Sequence, residues 1–204
     1  MINLKERIIL STKGKRMKID NILKVTSRRE LRDWLITNCE TAKYCWITVS
    51  IQPEVNKLLY LDAVEEALCF GWIDGIKKKL DGQLVQRLSP RSTKSNWTEL
   101  NKERVRRLEK QGLMTDFGAK VLPNMDLSSF IIDEQILQRL KEDLEVYKNF
   151  TTFPELYQRI RIDTIQSNKK ETELFEKRLD KLIDHTKLNK LYGSWHDDGR
   201  LLDY

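Results

Sequence analysis

The chain has 204 residues, of which 40% are hydrophobic and 33% are charged, and its formal net charge is +6. This length fits one domain, or one domain with a smaller appendage, and the composition is typical of a globular protein with many solvated helix faces. No apolar run approaches the ~20 residues that span a bilayer, and the first residues lack the pattern of a signal peptide. We therefore expect neither a membrane-spanning segment nor membrane binding.

Three cysteines, Cys39, Cys45 and Cys69, are odd in number and lack the spacing of metal ligands. Disulfides are rare in a reducing cytoplasm, where buried thiols pack as small apolar groups. We therefore expect a cytoplasmic protein with reduced cysteines, and we expect no metal ion and no cofactor.

The first part of the chain predicts a core domain over residues 17–125, preceded by an extension of residues 1–16. Ser27 followed by Glu30 is the capping-box pattern of a helix start. The β-branched and aromatic run of residues 44–51 predicts a strand. The next helix is predicted to begin near Asp62, with Glu65 as its reciprocal capping residue, and to end at Gly71.

A β-hairpin is predicted next, because Asp81-Gly82 is a sequence that tolerates two positive φ angles. The hairpin pairs residues 73–80 with 83–89, and the strand at residues 44–51 completes a sheet of at least three strands. A polar loop of residues 89–96 follows. It leads into a helix predicted from Trp97 to about residue 111, with Ser95 or Asn96 as its N-cap.

From residue 126 the sequence predicts helices alone, in a C-terminal region of residues 126–192. One amphipathic stripe runs from Ile136 through Leu144 to Tyr147, and Pro154 marks another helix start. The Gly- and Asp-rich residues 193–204 predict a tail that docks through Trp195 and Leu201. The predicted fold class is α+β: a small, mostly antiparallel sheet packed by helices, followed by a helical C-terminal region.

Several of these motifs resemble a known family. They are SRRELRDWL at residues 27–35, YLDAVEEALCFGWIDG at 60–75, QRLSPR at 86–91 and KSNW at 94–97. Over about residues 24–190 the sequence is similar to the YdeI/OmpD-associated family. The resemblance implies a small cytoplasmic bacterial protein linked to bacteriocin protection or stress resistance, and it implies no particular catalytic residues.

The positive charge is concentrated around the hairpin. Residues 76–110 hold eleven Lys or Arg and four Asp or Glu, a net charge of +7, which leaves −1 for the rest of the chain. A local excess of this kind attracts anions, and a helix N-terminus adds free backbone N–H groups. The sequence therefore predicts a basic anion-binding cleft at the start of the Trp97 helix, which Arg87 and Lys77–Lys79 line together. The candidate ligand-binding residues are Trp72, Asp74, Lys77, Arg87, Arg91, Lys94, Ser95, Asn96 and Trp97. The alternative is a capped helix flanked by solvated lysines.

Nucleic-acid binding is the rival interpretation, because basic side chains interleaved with Trp72 and Trp97 are typical of a surface with stacking platforms. Against it, the basic helix also carries Glu99, Glu103 and Glu109, and the spacing of Glu103 and Arg107 favours an ion pair within the helix.

Catalysis is a third possibility, since Glu65, Glu66, Cys69 and Asp74 cluster around one helix-to-strand turn. A carboxylate beside a thiol can perform acid–base or nucleophilic chemistry. Glu65, Cys69 and Asp74 also have structural explanations, as a cap, a packed side chain and a turn residue respectively, and no histidine lies near the cluster in sequence. We therefore favour a non-enzymatic protein.

Overall fold

A computed structural model describes residues 8–10, 16–92 and 95–204 of the chain. The chain divides into two compact units. The first comprises Met1–Ser95 and Gln111–Leu122, and the second comprises Asn96–Lys110 and Pro123–Tyr204. Residues 96–110, which lie within the predicted core domain, thus group with the C-terminal helices.

The described strands all lie in the first unit. They are β1 (Ile8–Leu10), β2 (Arg16–Lys18), β3 (Ile22–Leu23), β4 (Cys45–Ser50), β5 (Leu58–Leu59), β6 (Trp72–Leu80) and β7 (Gln83–Pro90). β1 and β2 form an antiparallel pair of their own, so part of the predicted extension is strand. The other five form one sheet in the order β3-β4-β7-β6, and β5 also pairs with β4.

The long strands of this sheet are antiparallel and the short ones are parallel. β4 pairs antiparallel with β7, and β7 with β6, whereas the two-residue strands β3 and β5 run parallel to opposite ends of β4. The predicted hairpin is confirmed, with Leu80 opposite Gln83 across the turn. The α+β class, with a mostly antiparallel sheet, is also confirmed.

Eight α-helices are described across the two units. They are α1 (Arg28–Asn38), α2 (Tyr60–Cys69), α3 (Glu99–Lys110), α4 (Asp116–Ala119), α5 (Glu134–Lys141), α6 (Leu144–Thr152), α7 (Glu155–Gln166) and α8 (Thr172–Lys187). None of the described helices is both long and apolar enough to cross a bilayer.

In the first unit, α1 packs on α2, and α2 packs on the sheet. Ser27 caps α1 as predicted, since its side chain accepts a hydrogen bond from the Glu30 N–H. The predicted capping of α2 is wrong. This helix begins at Tyr60, directly after β5, and its N-cap Leu59 makes no side-chain capping bond. Glu65 is therefore not a capping residue.

Gly71 ends α2 as predicted, in the left-handed region with φ +71°. A Cβ atom at this position would lie 2.8 Å from the Phe117 carbonyl oxygen of α4. Only glycine permits both the positive φ and this close approach.

The second unit is a helical body around one apolar core. Its buried residues include Ile136, Leu140, Phe150, Tyr157, Phe175 and Leu179. The predicted docking of the tail is confirmed, because Trp195 and Leu201 are buried. The Trp195 ring meets the Tyr157 ring edge-on, with 5.6 Å between their centroids.

The predicted stripe from Ile136 to Tyr147 does not belong to one helix. α5 ends at Lys141, and Asp143 caps α6 by accepting hydrogen bonds from the Glu145 and Val146 N–H groups. Leu144 is consequently 84% exposed rather than buried.

Candidate anion-binding site

The hairpin that carries most of the candidate residues is closed by a tight turn and interrupted by a bulge. Asp81 and Gly82 have φ angles of 49° and 78°, as a type I′ turn requires. Between Asp74 and Lys77 the register shifts by one residue. The Gln86 side chain stabilises this bulge by donating to the Gly75 carbonyl oxygen at 3.0 Å.

The strand register places the basic side chains on opposite faces of the sheet. Lys77 lies opposite Gln86, whereas Arg87, the next residue along β7, lies opposite Trp46 of β4. Successive side chains of a strand point to opposite faces, and residues paired across strands share a face. Arg87 and Lys77 therefore do not line the same side, and the expectation of one cleft formed by Arg87 with Lys77–Lys79 is wrong. Lys78, opposite Val85, shares the face of Arg87.

On the first face, Arg87 rests on an aromatic ring. Its guanidinium carbon lies 4.7 Å from the centroid of the Tyr44 ring. The Tyr44 hydroxyl donates to the Asp20 carboxylate at 2.6 Å, and this bond raises the pKa of Tyr44. Within the described part of the chain, no carboxylate forms an ion pair with Arg87.

A surface cleft with a volume of about 460 Å³ adjoins this ring. It is lined by Asp20, Asn21, Ala42, Lys43 and Tyr44. Asn21 fixes the wall of the cleft, because its backbone adopts φ 52° and its side chain donates to the Tyr44 carbonyl oxygen at 2.8 Å. The cleft thus combines a carboxylate, an amide and an ammonium group.

On the opposite face, Asp74 and Lys77 meet at Tyr60. The Tyr60 hydroxyl donates to Asp74 at 2.6 Å, and the Lys77 ammonium lies 3.8 Å from the centroid of the Tyr60 ring. The bulge creates this cluster. In a regular strand two residues three apart face opposite ways, but one extra residue brings both side chains to one face.

Arg91 is buried at the end of the hairpin, with 6% of its surface exposed. Its backbone N–H donates to the Gly71 carbonyl oxygen at 2.9 Å. Burial lowers the pKa of Arg91, and attraction to Asp74 opposes that change. Arg91 is therefore a buried charge of the first unit that is attracted to Asp74.

Trp72 is a core residue. Its side chain is 1% exposed, and its indole N–H donates to the Cys39 carbonyl oxygen at 3.0 Å. The Trp34 ring packs against it edge-on, with centroids 5.7 Å apart. Trp72 can support a site only indirectly, by holding the start of β6 in place.

The segment between β7 and the next helix differs from the prediction in the residue that caps the helix. The Ser95 hydroxyl accepts a hydrogen bond from the Ser92 N–H at 3.1 Å, and Lys94 lies outside the described residues. The following helix begins at Glu99 rather than at Trp97. Thr98 is the capping residue, because its hydroxyl accepts from the Asn101 N–H at 3.2 Å.

The predicted cap at Ser95 or Asn96 is therefore wrong. Asn96 and Trp97 precede α3 in the second unit, and Asn96 is exposed whereas Trp97 is partly buried. The candidate residues of the sequence thus divide between the two units and between the two faces of the sheet.

The basic helix α3 uses its cations within the second unit. Lys102 pairs with Glu99 at 2.8 Å, and Arg106 pairs with Glu103 at 2.7 Å. Arg159 of α7 also contacts Glu103, at 2.6 Å. The prediction that acidic residues of α3 pair with its basic side chains is confirmed. Glu103 contacts both Arg106 and Arg159.

The acidic cluster of α2 is an ion-pair network with α1. Glu65 and Glu66 are fully buried, and Arg28 binds both of them at 2.5 Å. Arg32 binds Glu66 at 2.8 Å. Desolvation raises the pKa of the nearby Cys69 thiol to about 12, which leaves it protonated and unreactive at neutral pH.

Two residues of the Arg87 site are absent from the predicted set. Tyr44 and Asp20 lie 24 positions apart and meet because β3 pairs with β4 immediately after Asn21. The only indication of this contact in the local sequence is the position of Tyr44 at the start of the predicted strand of residues 44–51. Its partner Asp20 precedes a strand of two residues, which sequence patterns do not reveal.

Fold and site together define a two-unit α+β protein, with a basic β-hairpin in the first unit and a helical second unit. Residues 129–189 match the family described as Bacteriocin-protection, YdeI or OmpD-Associated. The second unit therefore contains a YdeI/OmpD-associated domain, and the predicted family is confirmed.

A different description matches a range that includes most of the first unit. Residues 23–121, which include the motifs at 27–35 and 60–75, match a domain of unknown function, DUF8412. Comparisons with curated proteins and with solved structures give no match.

Proposed function

We propose that the first unit binds a small oxyanion, such as a phosphate or carboxylate group of a ligand, through Arg87. One observation carries this proposal: the Arg87 guanidinium is positioned on the Tyr44 ring, and none of the described carboxylates neutralises it. A guanidinium presents a planar set of N–H donors that matches carboxylate and phosphate oxygens in two parallel hydrogen bonds.

The surroundings of Arg87 favour binding because they fix the side chain before a ligand arrives. β7 is hydrogen-bonded on both sides, to β4 and β6, so the backbone of Arg87 is held in the sheet. The hydrogen bond from Tyr44 to Asp20 holds the ring beneath it. Pre-organisation of this kind reduces the entropy lost on binding.

The expected affinity follows from the number of hydrogen bonds. Each hydrogen bond to a charged group contributes about 1.5–3 kcal/mol, so a bidentate contact supplies roughly 3–6 kcal/mol. This corresponds to a Kd near the millimolar range for an inorganic anion. A larger ligand that also fills the cleft beside Tyr44 binds more tightly, and the carboxylate of Asp20 favours a ligand with hydrogen-bond donors.

The test is a titration of the whole protein with inorganic phosphate, citrate and a nucleotide pool, followed by isothermal calorimetry and amide chemical shifts. We expect saturable binding that is lost in Arg87→Ala and weakened in Arg87→Lys, which keeps the charge but not the planar donors. Lys79→Ala is the matched control, because this exposed cation lies on the same hairpin but on the other face. Unchanged binding in Arg87→Ala rules out the site.

We further propose that the protein acts in a reducing compartment, such as the cytoplasm, in bacteriocin or stress protection. Two observations support this proposal. Residues 129–189 match the family described as Bacteriocin-protection, YdeI or OmpD-Associated, and Cys39, Cys45 and Cys69 are all buried and unbridged, as is usual in a reducing compartment. Deletion of the gene should lower survival under bacteriocin or stress challenge. Complementation by the wild type, but not by Arg87→Ala, would link that role to anion binding.

A further inference from the structure

The outer strand of the sheet, β6, has an open edge. Its only strand neighbour in the described part of the chain is β7, on one side. Gly75, Ile76, Lys77 and Lys79 are exposed, so the middle of the strand is accessible. An edge strand presents backbone N–H and C=O groups that can pair with another strand.

The turn determines which backbone groups point outward. In a two-residue turn the Leu80 carbonyl accepts from the Gln83 N–H, so this pair exchanges hydrogen bonds. Antiparallel pairs alternate between bonded and non-bonded positions. Lys78 is therefore bonded to β7, whereas Lys77 and Lys79 direct their N–H and C=O groups away from it.

The side chains make this edge positive. Lys77 and Lys79 lie on one face, and Lys78 lies on the other. Within the described residues none of the three forms an ion pair, and Lys77 instead lies over the Tyr60 ring at 3.8 Å. The open backbone groups and the unneutralised charges therefore coincide at Lys77 and Lys79.

We propose that the β6 edge binds an extended acidic segment of a partner protein, which adds to the sheet as a further strand. Backbone hydrogen bonds supply the attraction in this mode of recognition, and side chains at alternate positions supply the selectivity. Acidic residues two positions apart would face Lys77 and Lys79, and opposite charges across strands stabilise the pairing.

A second copy of this chain is the less suitable occupant. Two β6 strands paired with each other would place lysines opposite lysines, and like charges in that position are destabilising. Lysine on an edge strand is a known protection against self-association. The same charges that disfavour a second copy favour an acidic strand.

The length of the edge limits the partner segment. The bulge between Asp74 and Lys77 interrupts the regular strand on one side, and the turn at Asp81 ends it on the other. The regular edge is residues 77–80, about 13 Å long at ~3.3 Å per residue. The recognised element is therefore a strand of about four residues with two acidic side chains.

The test uses the full chain and a blocked, fluorescent peptide of alternating glutamate and threonine, with fluorescence anisotropy at low salt. We expect Lys77→Glu/Lys79→Glu to weaken binding at least tenfold and to bind the corresponding lysine–threonine peptide instead. Lys148→Glu/Lys170→Glu is the matched control, because it changes the net charge equally through exposed lysines of the second unit. This control should bind the acidic peptide within about twofold of the wild type.

Two further measurements separate strand addition from simple charge attraction. N-methylation of alternate peptide amides on one edge should abolish binding, and Lys79→Pro should weaken it by removing an outward N–H without touching the bonds to β7. Circular dichroism establishes that each variant is folded. Binding that survives N-methylation of the peptide amides, or that survives the charge reversal of Lys77 and Lys79, overturns the proposal. Arg87→Ala should bind the peptide normally, so this test is independent of the anion site.

Discussion

Arg104 of α3 binds Asp197 through two hydrogen bonds, from Nε at 2.6 Å and from Nη2 at 2.9 Å. Both side chains are buried, at 8% and 5% exposure, and the pair joins positions 93 residues apart. It therefore holds the C-terminal segment on α3. A cation that looks available in the sequence thus serves the stability of the second unit.

We predict that Arg104→Ala lowers the free energy of unfolding by about 3–5 kcal/mol, because it leaves the Asp197 carboxylate buried without its partner. Urea denaturation measures this change. Arg29→Ala is the control, since Arg29 is 91% exposed and its pair with Asp33 spans 3.9 Å. Its effect should stay below about 1 kcal/mol. A loss below about 1 kcal/mol for Arg104→Ala would show that the pair is not a stabilising contact.

Nucleic-acid binding by α3 is expected to be weak, because Lys102, Arg104 and Arg106 are already paired with carboxylates. A protein that neutralises many phosphates loses affinity steeply between 50 and 200 mM salt. Anisotropy with duplex DNA and single-stranded RNA should show only weak binding, and Lys102→Ala/Arg106→Ala should leave its salt dependence unchanged. A steep salt dependence that these substitutions flatten would favour the nucleic-acid interpretation instead.

The helix caps of the second unit predict a stability that declines in acid. Asp133 caps α5, and a hydrogen bond from Lys169 is the main cause that lowers its pKa. Asp143 caps α6, and a hydrogen bond from Lys187 is the main cause that lowers its pKa. A carboxyl group whose pKa is lower in the folded state binds fewer protons there than in the unfolded chain. Its stabilisation is present above the unfolded pKa of about 3.9 and is lost as the pH falls through the folded pKa.

We therefore expect Tm to fall between pH 5 and pH 3, and Asp133→Asn/Asp143→Asn to flatten this part of the curve. Asparagine keeps the capping hydrogen bond but does not titrate. Thermal melts across the pH range measure the difference. Asp33→Asn on the exposed face of α1 serves as the control and should leave the slope unchanged. An equally steep curve in the double variant would assign the acid sensitivity to other groups.

Local sequence patterns predicted those elements whose causes are local. Asp81-Gly82 determines the hairpin, since few other residue pairs allow two positive φ angles. Ser27 and Gly71 mark the ends of helices for similarly local reasons. Docking of Trp195 could also be anticipated, because a large aromatic group in a polar tail gains most from burial.

Features with distant causes were not predictable in this way. Glu65 fits a capping pattern, but its role is decided by Arg28, 37 residues earlier. The candidate residues do not line a single cleft, and the reason is related. The turn register separates Lys77 from Arg87, and one extra residue at the bulge then moves Asp74 to the face of Lys77. A shift of one residue in register moves each side chain to the other face of the sheet, and the amino-acid composition does not reveal such a shift.

Substitutions of Tyr44 distinguish the positioning of Arg87 from its charge, because they change the ring contact and leave the guanidinium in place. Tyr44→Ala removes the surface on which the guanidinium rests, whereas Tyr44→Phe keeps the ring and removes only the hydrogen bond to Asp20. A cation–π contact at a partly exposed site is worth about 0.5–1 kcal/mol, or roughly a two- to fivefold change in Kd. Tyr44→Ala should weaken phosphate binding by at least this factor, and Tyr44→Phe by less. Calorimetric titration of both variants against the wild type measures the order. If Tyr44→Phe proves as damaging as Tyr44→Ala, the hydroxyl and Asp20, rather than the ring, position the arginine.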